Sequence, residues 1–309
     1  MKHLRFVIMK KRVFAMITTV TLYVIGSFVL DQQRGWCEEF VVKYHALAET
    51  DTRVYELGLL QAVLEKTVDQ YGPYTIEASK TMYNPQRAEI ELKEGKEVNV
   101  DWFAATQVTM KEAFIPIAFP LMKGVLGYRI FLIHKKDKEK FAKIKTLDEL
   151  KQLSVGQGLG WGDVPIFRHN GFTVVTGKDY DSLFEMLVVG RFDFFSRGIG
   201  EALPEYNLRK DRLPDLWIEE TILLYYPYPI YYFVNRQHPK LAERIKRGLY
   251  RMLEDGSFEK FFWEYHRKII DQARVKERKL FTIENPFLTP DIPLDHKELW
   301  FDPATYDSQ

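Results

Sequence analysis

A glycine-rich loop is the part of the sequence whose residue types could most directly hold a ligand. Four glycines alternate with larger residues over 156–162, between a predicted strand and a predicted helix that begins near Asp163. The first amides of a helix have no partner within the helix, so an anionic group can bind there. The spacing differs from the dinucleotide-binding pattern, whose third glycine would fall on Trp161 or Asp163. The loop is therefore either a tight turn or a ligand-facing loop.

Trp161, Gly162 and Asp163 are the candidate ligand contacts in this loop. The Trp161 ring could stack on a ligand or fill the turn, because a Trp between two glycines has few packing partners close in sequence. Gly162 would present its backbone amide to the same ligand. The Asp163 carboxylate could contact a ligand, although an acidic residue at the start of a helix more often caps that helix.

No sequence pattern of a catalytic or cofactor site accompanies the loop. The chain contains no G-x-S-x-G, H-E-x-x-H or Walker A segment and no paired C-x-x-C, and its seven His have no metal-ligand spacing. No pair of carboxylates stands out as an acid and base couple. We therefore expect no catalytic residue, no metal and no cofactor, and a protein that is not an enzyme.

The charge and the length of the chain exclude further classes of protein. With 44 Lys and Arg against 43 Asp and Glu, the formal net charge is +1, which provides no basic field for nucleic acid. A length of 309 residues suffices for two domains. Cys37 is the only cysteine, so no disulfide can form within the chain. We expect a soluble two-domain body without a nucleic-acid partner.

The N-terminal residues have the pattern of an export signal. Residues 1–12 carry five basic side chains, Lys or Arg, and no acidic one, and residues 13–30 follow without a charge. This run of 18 residues is at the upper limit for a signal-peptide core and at the lower limit for a membrane-spanning helix. We assign 1–37 to a cleaved signal peptide or a retained anchor, which places the protein in the periplasm or another extracytoplasmic compartment.

The rest of the chain alternates short β-rich runs with amphipathic helical runs, the pattern of an α/β fold. One β-α-β-α-β unit is predicted over 40–103 and a second over 155–195, the second after a capping box at Thr146 and Glu149. Two helices follow, at 240–254 and 257–268. The residues after them have no clear periodicity.

Several segments have a recognisable order and spacing: Leu59, Leu60 and Leu64 in the first helix, Arg87-Ala88-x-x-x-Leu92-x-x-Gly95, Pro116-Ile117-x-Phe119-Pro120, Leu147-x-x-Leu150, and Leu183-x-x-Met186-Leu187-x-x-Gly190-Arg191-Phe192-Asp193. Later, Tyr232-Phe233-Val234-Asn235 precedes Asp255-Gly256-Ser257-Phe258. Over about 55–268 the chain thereby resembles solute-binding protein family 3 of bacteria, the extracytoplasmic receptors that deliver small polar molecules to ABC importers.

The resemblance implies an α/β fold of the type II periplasmic binding class, in which two lobes are joined by a two-strand hinge and enclose a ligand cleft. Lobe 1 would comprise 38–132 and 232–268, lobe 2 would comprise 133–231, and the C-terminal tail 269–309 would pack on a lobe. The implied function is capture of a small polar solute by lobe closure. The implied partners are the small-molecule solute and the membrane subunits of an ABC transporter, with the receptor itself monomeric.

Two departures from the family pattern concern the ligand. Amino-acid binders of the family carry Thr-x-x-x-Arg after the third strand, whereas here Thr106 is followed by Met110 at the Arg position. The acidic residue that holds the ligand amine in the family falls at Arg197. An Arg197 clamp, with the amides near Trp161, would suit an anionic or carboxylated ligand, but Arg197 could equally pair with a carboxylate at a lobe edge.

Three further residues are candidate ligand contacts through the resemblance. Trp102 and Thr106 are near the end of the third strand, where cleft positions are expected, although Trp102 could equally belong to the core. Arg87 could hold a loop of lobe 1 or face the cleft. Two other functions stay open: a sensory or regulatory module, which a retained anchor would favour, and a dehydratase-like enzyme on the same fold, which would need an essential cleft carboxylate.

Overall fold

The computed structural model describes residues 40–46, 54–82, 85–106, 114–289 and 291–306. Among these residues no helix is both long enough and apolar enough to cross a membrane. The predicted export signal in 1–37 and the departure at Met110 lie outside the described residues.

Lobe 1 contains the strands β1 (Phe40–Tyr44), β2 (Tyr74–Ala78), β3 (Val100–Ala104), β4 (Phe114–Ile117) and β11 (Ile230–Asn235). β1 and β2 are parallel, and β11 lies antiparallel between β3 and β4. The amide of Asn99 donates to the carbonyl of Lys43 at 2.8 Å, which joins β1 to the start of β3. The helices of this lobe are α1 (Val54–Glu65), α2 (Val68–Tyr71), α3 (Pro85–Glu94), α9 (Pro239–Glu254) and α10 (Ser257–Ala273).

Lobe 2 contains the strands β5 (Tyr128–His134), β6 (Ser154–Gly158), β7 (Thr173–Gly177), β8 (Phe194–Gly198), β9 (Leu216–Ile218), β10 (Ile222–Tyr225) and β12 (Lys279–Thr282). Their order in one sheet is β12-β10-β5-β8-β6-β7, and β9 pairs with β5. The helices are α4 (Lys138–Ala142), α5 (Leu147–Lys151), α6 (Asp163–His169), α7 (Tyr180–Val188) and α8 (Ile199–Arg209). Because β6, β7 and β8 are parallel, their carboxyl ends share one edge of the sheet.

Local sequence signals explain several of these elements. The capping box is confirmed, since the amide of Glu149 donates to Thr146 Oγ1 at 3.2 Å and the amide of Thr146 donates to Glu149 Oε2 at 3.1 Å. In β5, six consecutive residues are buried, as expected for a strand covered on both faces. The predicted α/β fold with two lobes is confirmed by this arrangement of sheets and helices.

The chain passes between the two lobes at 118–127 and at 226–229, and again at 274–278, where α10 leads into β12. It runs from β4 to β5 through 118–127, the first crossing, and returns from β10 to β11 through 226–229, the second crossing. β5 pairs with β8, β9 and β10 of lobe 2, and β11 pairs with β3 and β4 of lobe 1. Boundaries at 132/133 and 231/232 therefore fall inside β5 and β11, because an apolar run does not disclose which sheet it will join.

The C-terminal tail reaches both lobes, whereas the sequence predicts a tail packed on a single lobe. β12 extends the lobe 2 sheet by pairing in parallel with β10. Farther along the chain, Ile292 is buried in a cluster of lobe 1 that contains Phe114, Tyr231 and Phe233. A tail without periodicity of its own can bury these side chains because it adds to two existing cores.

Candidate functional site

Parallel strands deliver the predicted loop residues of lobe 2 to one place. β6, β7 and β8 end at Gly158, Gly177 and Gly198, and the helices α6, α7 and α8 begin within five residues of those ends. We call this the lobe 2 edge. In α/β sheets, ligand sites form beyond the carboxyl ends of the strands. Trp161, Asp163 and Arg197, three of the candidate ligand contacts, all belong to this edge.

The guanidinium of Arg197 is held by two carboxylates. Arg197 is buried, and its Nε and Nη2 donate to Glu205 at 2.8 and 2.7 Å. Nη2 also lies 3.0 Å from Glu201 Oε1. Burial lowers the pKa of Arg197, but the two carboxylates outweigh burial and leave this pKa above its ordinary value. Of the two uses open to Arg197, the ion pair at a lobe edge is the one that these contacts show.

Trp161 packs into the turn that carries it. Its ring stacks on Phe195 with centroids 6.1 Å apart and an interplanar angle of 25°, and the Arg197 guanidinium lies 4.9 Å from its centroid. A Cβ on Gly158 would overlap the Trp161 ring, so glycine is required at the end of β6. The Trp161 side chain is half-buried. The loop is thus a tight turn with one aromatic face built into it.

The side-chain cap predicted for Asp163 is wrong. Gly162 is the N-cap residue of α6, Asp163 is its first helical residue, and no side chain caps this helix. The Asp163 carboxylate instead accepts a hydrogen bond from Arg129 Nη2 at 2.6 Å and another from the Tyr226 hydroxyl. Sequence spacing could not show this, because Arg129 reaches Asp163 from β5 and Tyr226 reaches it from the second crossing.

The second crossing also covers the start of α6. A Cβ on Gly162 would lie 2.5 Å from the Tyr228 hydroxyl, so that hydroxyl sits against the first turn of the helix. The Arg129 guanidinium lies near the rings of both Tyr226 and Tyr228, 5.3 and 5.4 Å from their centroids. The start of α6 is therefore packed by aromatic side chains, and this weakens the expectation that its amides bind an anion.

Arg129, Arg197, Asp163, Glu201 and Glu205 form one connected set, which we call the arginine network. Glu201 links its two halves, with Oε2 3.6 Å from Arg129 Nη1 and Oε1 3.0 Å from Arg197 Nη2. Desolvation raises the pKa of Glu201, but Arg197, Arg129 and the amide of Gly198 together lower this pKa below its ordinary range. With three carboxylates against two guanidiniums, the network contains one negative charge in excess.

In lobe 1, Trp102 lies in the core of the domain, in the middle of β3. Its ring stacks on Tyr44 at 6.2 Å and meets the edge of Tyr232 at 6.1 Å. Its indole Nε1 is buried and has no hydrogen-bond partner among the described residues. A buried Trp N–H usually finds an acceptor, and one left without costs about 1–3 kcal/mol. Trp102 is thus a core residue whose indole N–H has no acceptor in the described part of the chain.

Thr106 and Arg87 are placed less decisively. Thr106 is half-buried two residues beyond β3, next to the undescribed residues 107–113. The side chain of Arg87 is about half exposed and forms an ion pair with Glu91 one turn farther along α3. Of the two alternatives for Arg87, support of its own segment is the one with a visible contact.

A buried pair beside Trp102 escapes the sequence analysis. His45 Nδ1 lies 2.8 Å from Asp101 Oδ2, both side chains are almost fully buried, and Asp101 Oδ1 accepts the amide of Trp102 at 2.8 Å. The His45 ring lies 6.1 Å from the Trp102 ring. Asp101 inside an apolar strand was the available signal, because a carboxylate there needs a partner. β3 therefore carries a buried histidine–carboxylate pair beside the indole N–H of Trp102.

The end of β3 and the lobe 2 edge both adjoin the second crossing. The amide of Ala105, directly after β3, donates to the carbonyl of Pro229 at 2.8 Å, whereas the preceding Tyr228 touches Gly162 on the lobe 2 edge. Two consecutive residues of the second crossing thus contact the two lobes: Tyr228 contacts the start of α6, and Pro229 bonds to the end of β3. Among the described residues no group of three His, Cys, Asp or Glu could hold a metal ion.

Neither a protein-family model nor a curated protein matches the chain. Solved structures do. One is reported with glutathione import in Gram-positive bacteria through GshT and the cystine ABC importer TcyBC of Streptococcus mutans; it is 15% identical, covers 74% of this chain and 95% of its own, and has a TM-score of 0.50.

Two other solved structures are an ancestral arginine-binding protein bound to arginine, with 18% identity, and a histidine kinase sensor domain with similarity to periplasmic binding proteins, with 15% identity. Both cover 74% of this chain and, respectively, 97% and 96% of their own chains, with TM-scores of 0.48. Such distant likenesses bear on the fold alone. The chain has the two-lobe α/β architecture of periplasmic binding proteins.

Proposed function

We propose that the protein is an extracytoplasmic receptor that captures a small polar solute between its lobes and presents the closed form to an ABC importer. The observation that carries the proposal is the position of the second crossing, where Tyr228 touches the start of α6 and Pro229 bonds to the end of β3. Polar and aromatic groups of both lobes therefore flank one connection, as they must if lobe closure is to enclose a ligand.

The charges at the lobe 2 edge favour an amino-acid-like ligand over a simple anion. Arg197 already has the carboxylates of Glu201 and Glu205, so a second anion would compete with them for one guanidinium. The excess carboxylate of the arginine network favours a ligand that brings an ammonium group. Glu201 is the most exposed of the three, with 29% of its side-chain surface accessible, and we propose that it faces this group.

The residues of the predicted site have different roles in this proposal. Trp102 would donate its indole N–H to an acceptor on the ligand, Trp161 would offer its ring edge, and Thr106 would line the cleft. Asp163, Gly162 and Arg197 would act as positioning residues that fix the lobe 2 edge. Arg87 would support α3. No residue is proposed to be catalytic, and we expect the ligand to leave unchanged.

Thermal unfolding of the full-length chain in detergent tests this proposal. We would screen amino acids, polyamines, dicarboxylates and small sugars, since a ligand at 100 times its Kd stabilises the native state by about 2.7 kcal/mol. An increase in Tm with an amino acid, reduced by Trp102→Phe, is the expected result. The Trp102→Phe change removes the N–H donor and keeps most of the ring, and Trp217→Phe on β9 of lobe 2 is the matched control. If no compound raises the Tm of folded protein, a small-solute receptor is ruled out for these classes.

A membrane-anchored sensory module is the second candidate, because the uncharged run 13–30 is just long enough to span a membrane. Both candidates place the body of the protein outside the cytoplasm as a monomer. N-terminal sequencing of the mature protein separates them. A chain that begins after residue 30 supports a released receptor, whereas an intact N-terminus in the membrane fraction supports the anchored module.

A further inference from the structure

The C-terminal residues 279–289 and 291–306 form a further connection between the lobes, which we call the strap. The first and second crossings and residues 274–278, between α10 and β12, already join the lobes. The strap begins on lobe 2, where β12 pairs with β10 and the amide of Ile283 donates to the carbonyl of Tyr225 at 2.9 Å. Asn170, after α6, bonds to both the amide and the carbonyl of Glu284. The first part of the strap is therefore fixed to lobe 2.

The strap then contacts the second crossing and enters lobe 1. Asn285 Nδ2 donates to the carbonyl of Pro227 at 2.8 Å, within the second crossing. Ile292 is buried in the lobe 1 cluster with Tyr231 and Phe233, and Leu288 packs against that cluster. One short segment thus bonds to lobe 2, to a crossing and to lobe 1 in succession.

The last part of the strap holds the first crossing. The amide of Phe301 donates to the carbonyl of Lys123 at 2.7 Å, and the Tyr128 hydroxyl donates to the carbonyl of Phe301 at 3.0 Å. Gly124 adopts a φ of +68°, and a Cβ on it would lie 2.5 Å from the Trp300 ring. The Trp300 ring therefore lies directly on the backbone of the first crossing.

The end of the strap returns to α10 of lobe 1. The ring of Trp263 stacks on Tyr306 with centroids 5.8 Å apart and meets Phe301 edge to face at 6.0 Å. Phe301 and Tyr306 are both buried in the main core. This aromatic attachment is stronger than a surface contact, because such rings bury large apolar areas.

We propose that the strap is a closure restraint. It limits the rotation of the lobes about the crossings, and so it sets the distance between the lobes from which a ligand must close them. Rotation of the lobes would move Lys123 of the first crossing and Pro227 of the second crossing relative to the two sheets. The strap bonds to both residues and packs on both lobes, so it opposes this movement. The restraint holds whichever solute the cleft takes, so it can be tested without a ligand.

The test measures the distance between two spin labels, one on each lobe, by pulsed electron resonance. Labels are placed at Lys93→Cys in lobe 1 and Val189→Cys in lobe 2, both exposed, in the full-length chain carrying Cys37→Ser in detergent. With the strap intact we expect one narrow distance distribution. In the variant with Trp300→Ala and Phe301→Ala, we expect the width to increase at least twofold. Leu294→Ala, on an exposed strap residue, is the control and should leave the width unchanged.

Equal widths in the strap variant and the control would overturn the proposal, as would a broad distribution in the protein with an intact strap. Circular dichroism shows whether the double variant folds. If it does not, Asn285→Ala removes a single hydrogen bond to the second crossing and serves in its place. This milder change should give a smaller but measurable broadening, and a width equal to that of the control would again contradict the restraint.

Discussion

Asp163 and Arg129 form a buried ion pair that ties the first turn of α6 to β5, with Oδ1 and Nη2 2.6 Å apart. Neither residue is exposed, and the Tyr226 hydroxyl donates to the same carboxylate oxygen. The pair therefore links the glycine-rich loop to the second crossing.

Neutralising Asp163 should destabilise the protein strongly. In Asp163→Asn the buried guanidinium of Arg129 keeps only the more distant Glu201, so we expect a loss of about 3 kcal/mol in the free energy of unfolding. Urea denaturation followed by circular dichroism measures it. Asp211→Asn, at an exposed residue, is the control and should change stability by less than about 0.5 kcal/mol. Equal midpoints for the two variants would show that the pair is not needed.

Removing Arg197 should lower the free energy of unfolding, and not only weaken ligand binding. Arg197→Ala leaves the largely buried carboxylate of Glu205 without its bidentate partner, and we expect a loss of about 3–5 kcal/mol. Arg191→Ala, six residues earlier and exposed, is the control. A folded and fully stable Arg197→Ala protein that has lost ligand binding would instead establish Arg197 as a ligand clamp.

Two glycine substitutions should have opposite effects. Gly158→Ala places a Cβ inside the Trp161 ring, so the ring must move; we expect a changed Trp emission spectrum and a loss of about 1–3 kcal/mol. Gly200→Ala, within α8, places its Cβ 3.7 Å from Ile269 and should be neutral or stabilise by about 0.5–1 kcal/mol. Thermal unfolding and fluorescence of the two variants check this contrast. An unchanged Trp emission in Gly158→Ala would show that Trp161 does not pack on β6.

Acidification should destabilise the protein through His266. Burial lowers the pKa of His266 to about 4, against which its hydrogen bond to the Phe262 carbonyl acts in the opposite direction. The unfolded chain, with a pKa near 6.5, binds the proton more readily, so stability is complete above about pH 6.5 and falls as the pH drops toward about 4. The difference corresponds to about 3 kcal/mol.

His266→Phe should remove this part of the pH dependence, measured as the urea midpoint between pH 4 and pH 7. The Phe ring can keep the stacking on Phe262, where the centroids are 4.6 Å apart. His169→Gln, at an exposed histidine, is the control and should retain the slope of the unaltered protein. An unchanged slope in His266→Phe would assign the acid sensitivity to other groups.

Local patterns predicted the elements but not the contacts between them. The capping box at Thr146 and the helices around Leu183 and Leu249 follow from spacing within a few residues. The partner of Asp163 could not be predicted, because Asp163 begins α6 whereas Arg129 lies on β5, and only the sheet order brings the two close. The same holds for His45 and Asp101, which meet across β1 and β3.

The site residues divide in the same way. The resemblance implied that Arg197 and the amides near Trp161 face one ligand, and the position of Trp161 between a strand and a helix followed from β-α-β order. The neutralisation of Arg197 did not, since Glu201 and Glu205 belong to a helix whose facing side depends on packing. Arg197 alone would suit an anionic ligand, whereas Arg197 with its neighbouring carboxylates leads us to propose a ligand with an ammonium group.

The insertion of β11 between β3 and β4 has a consequence for biosynthesis. Ile230 pairs with Ala104, so lobe 1 cannot complete its sheet until the ribosome has passed all of lobe 2 except β12. The N-terminal strands must wait with one side unpaired, and such edges can associate with other chains. Lobe 2 lacks only its edge strand at that stage and can fold first. A chaperone or rapid translocation would protect the first hundred or so residues during this interval.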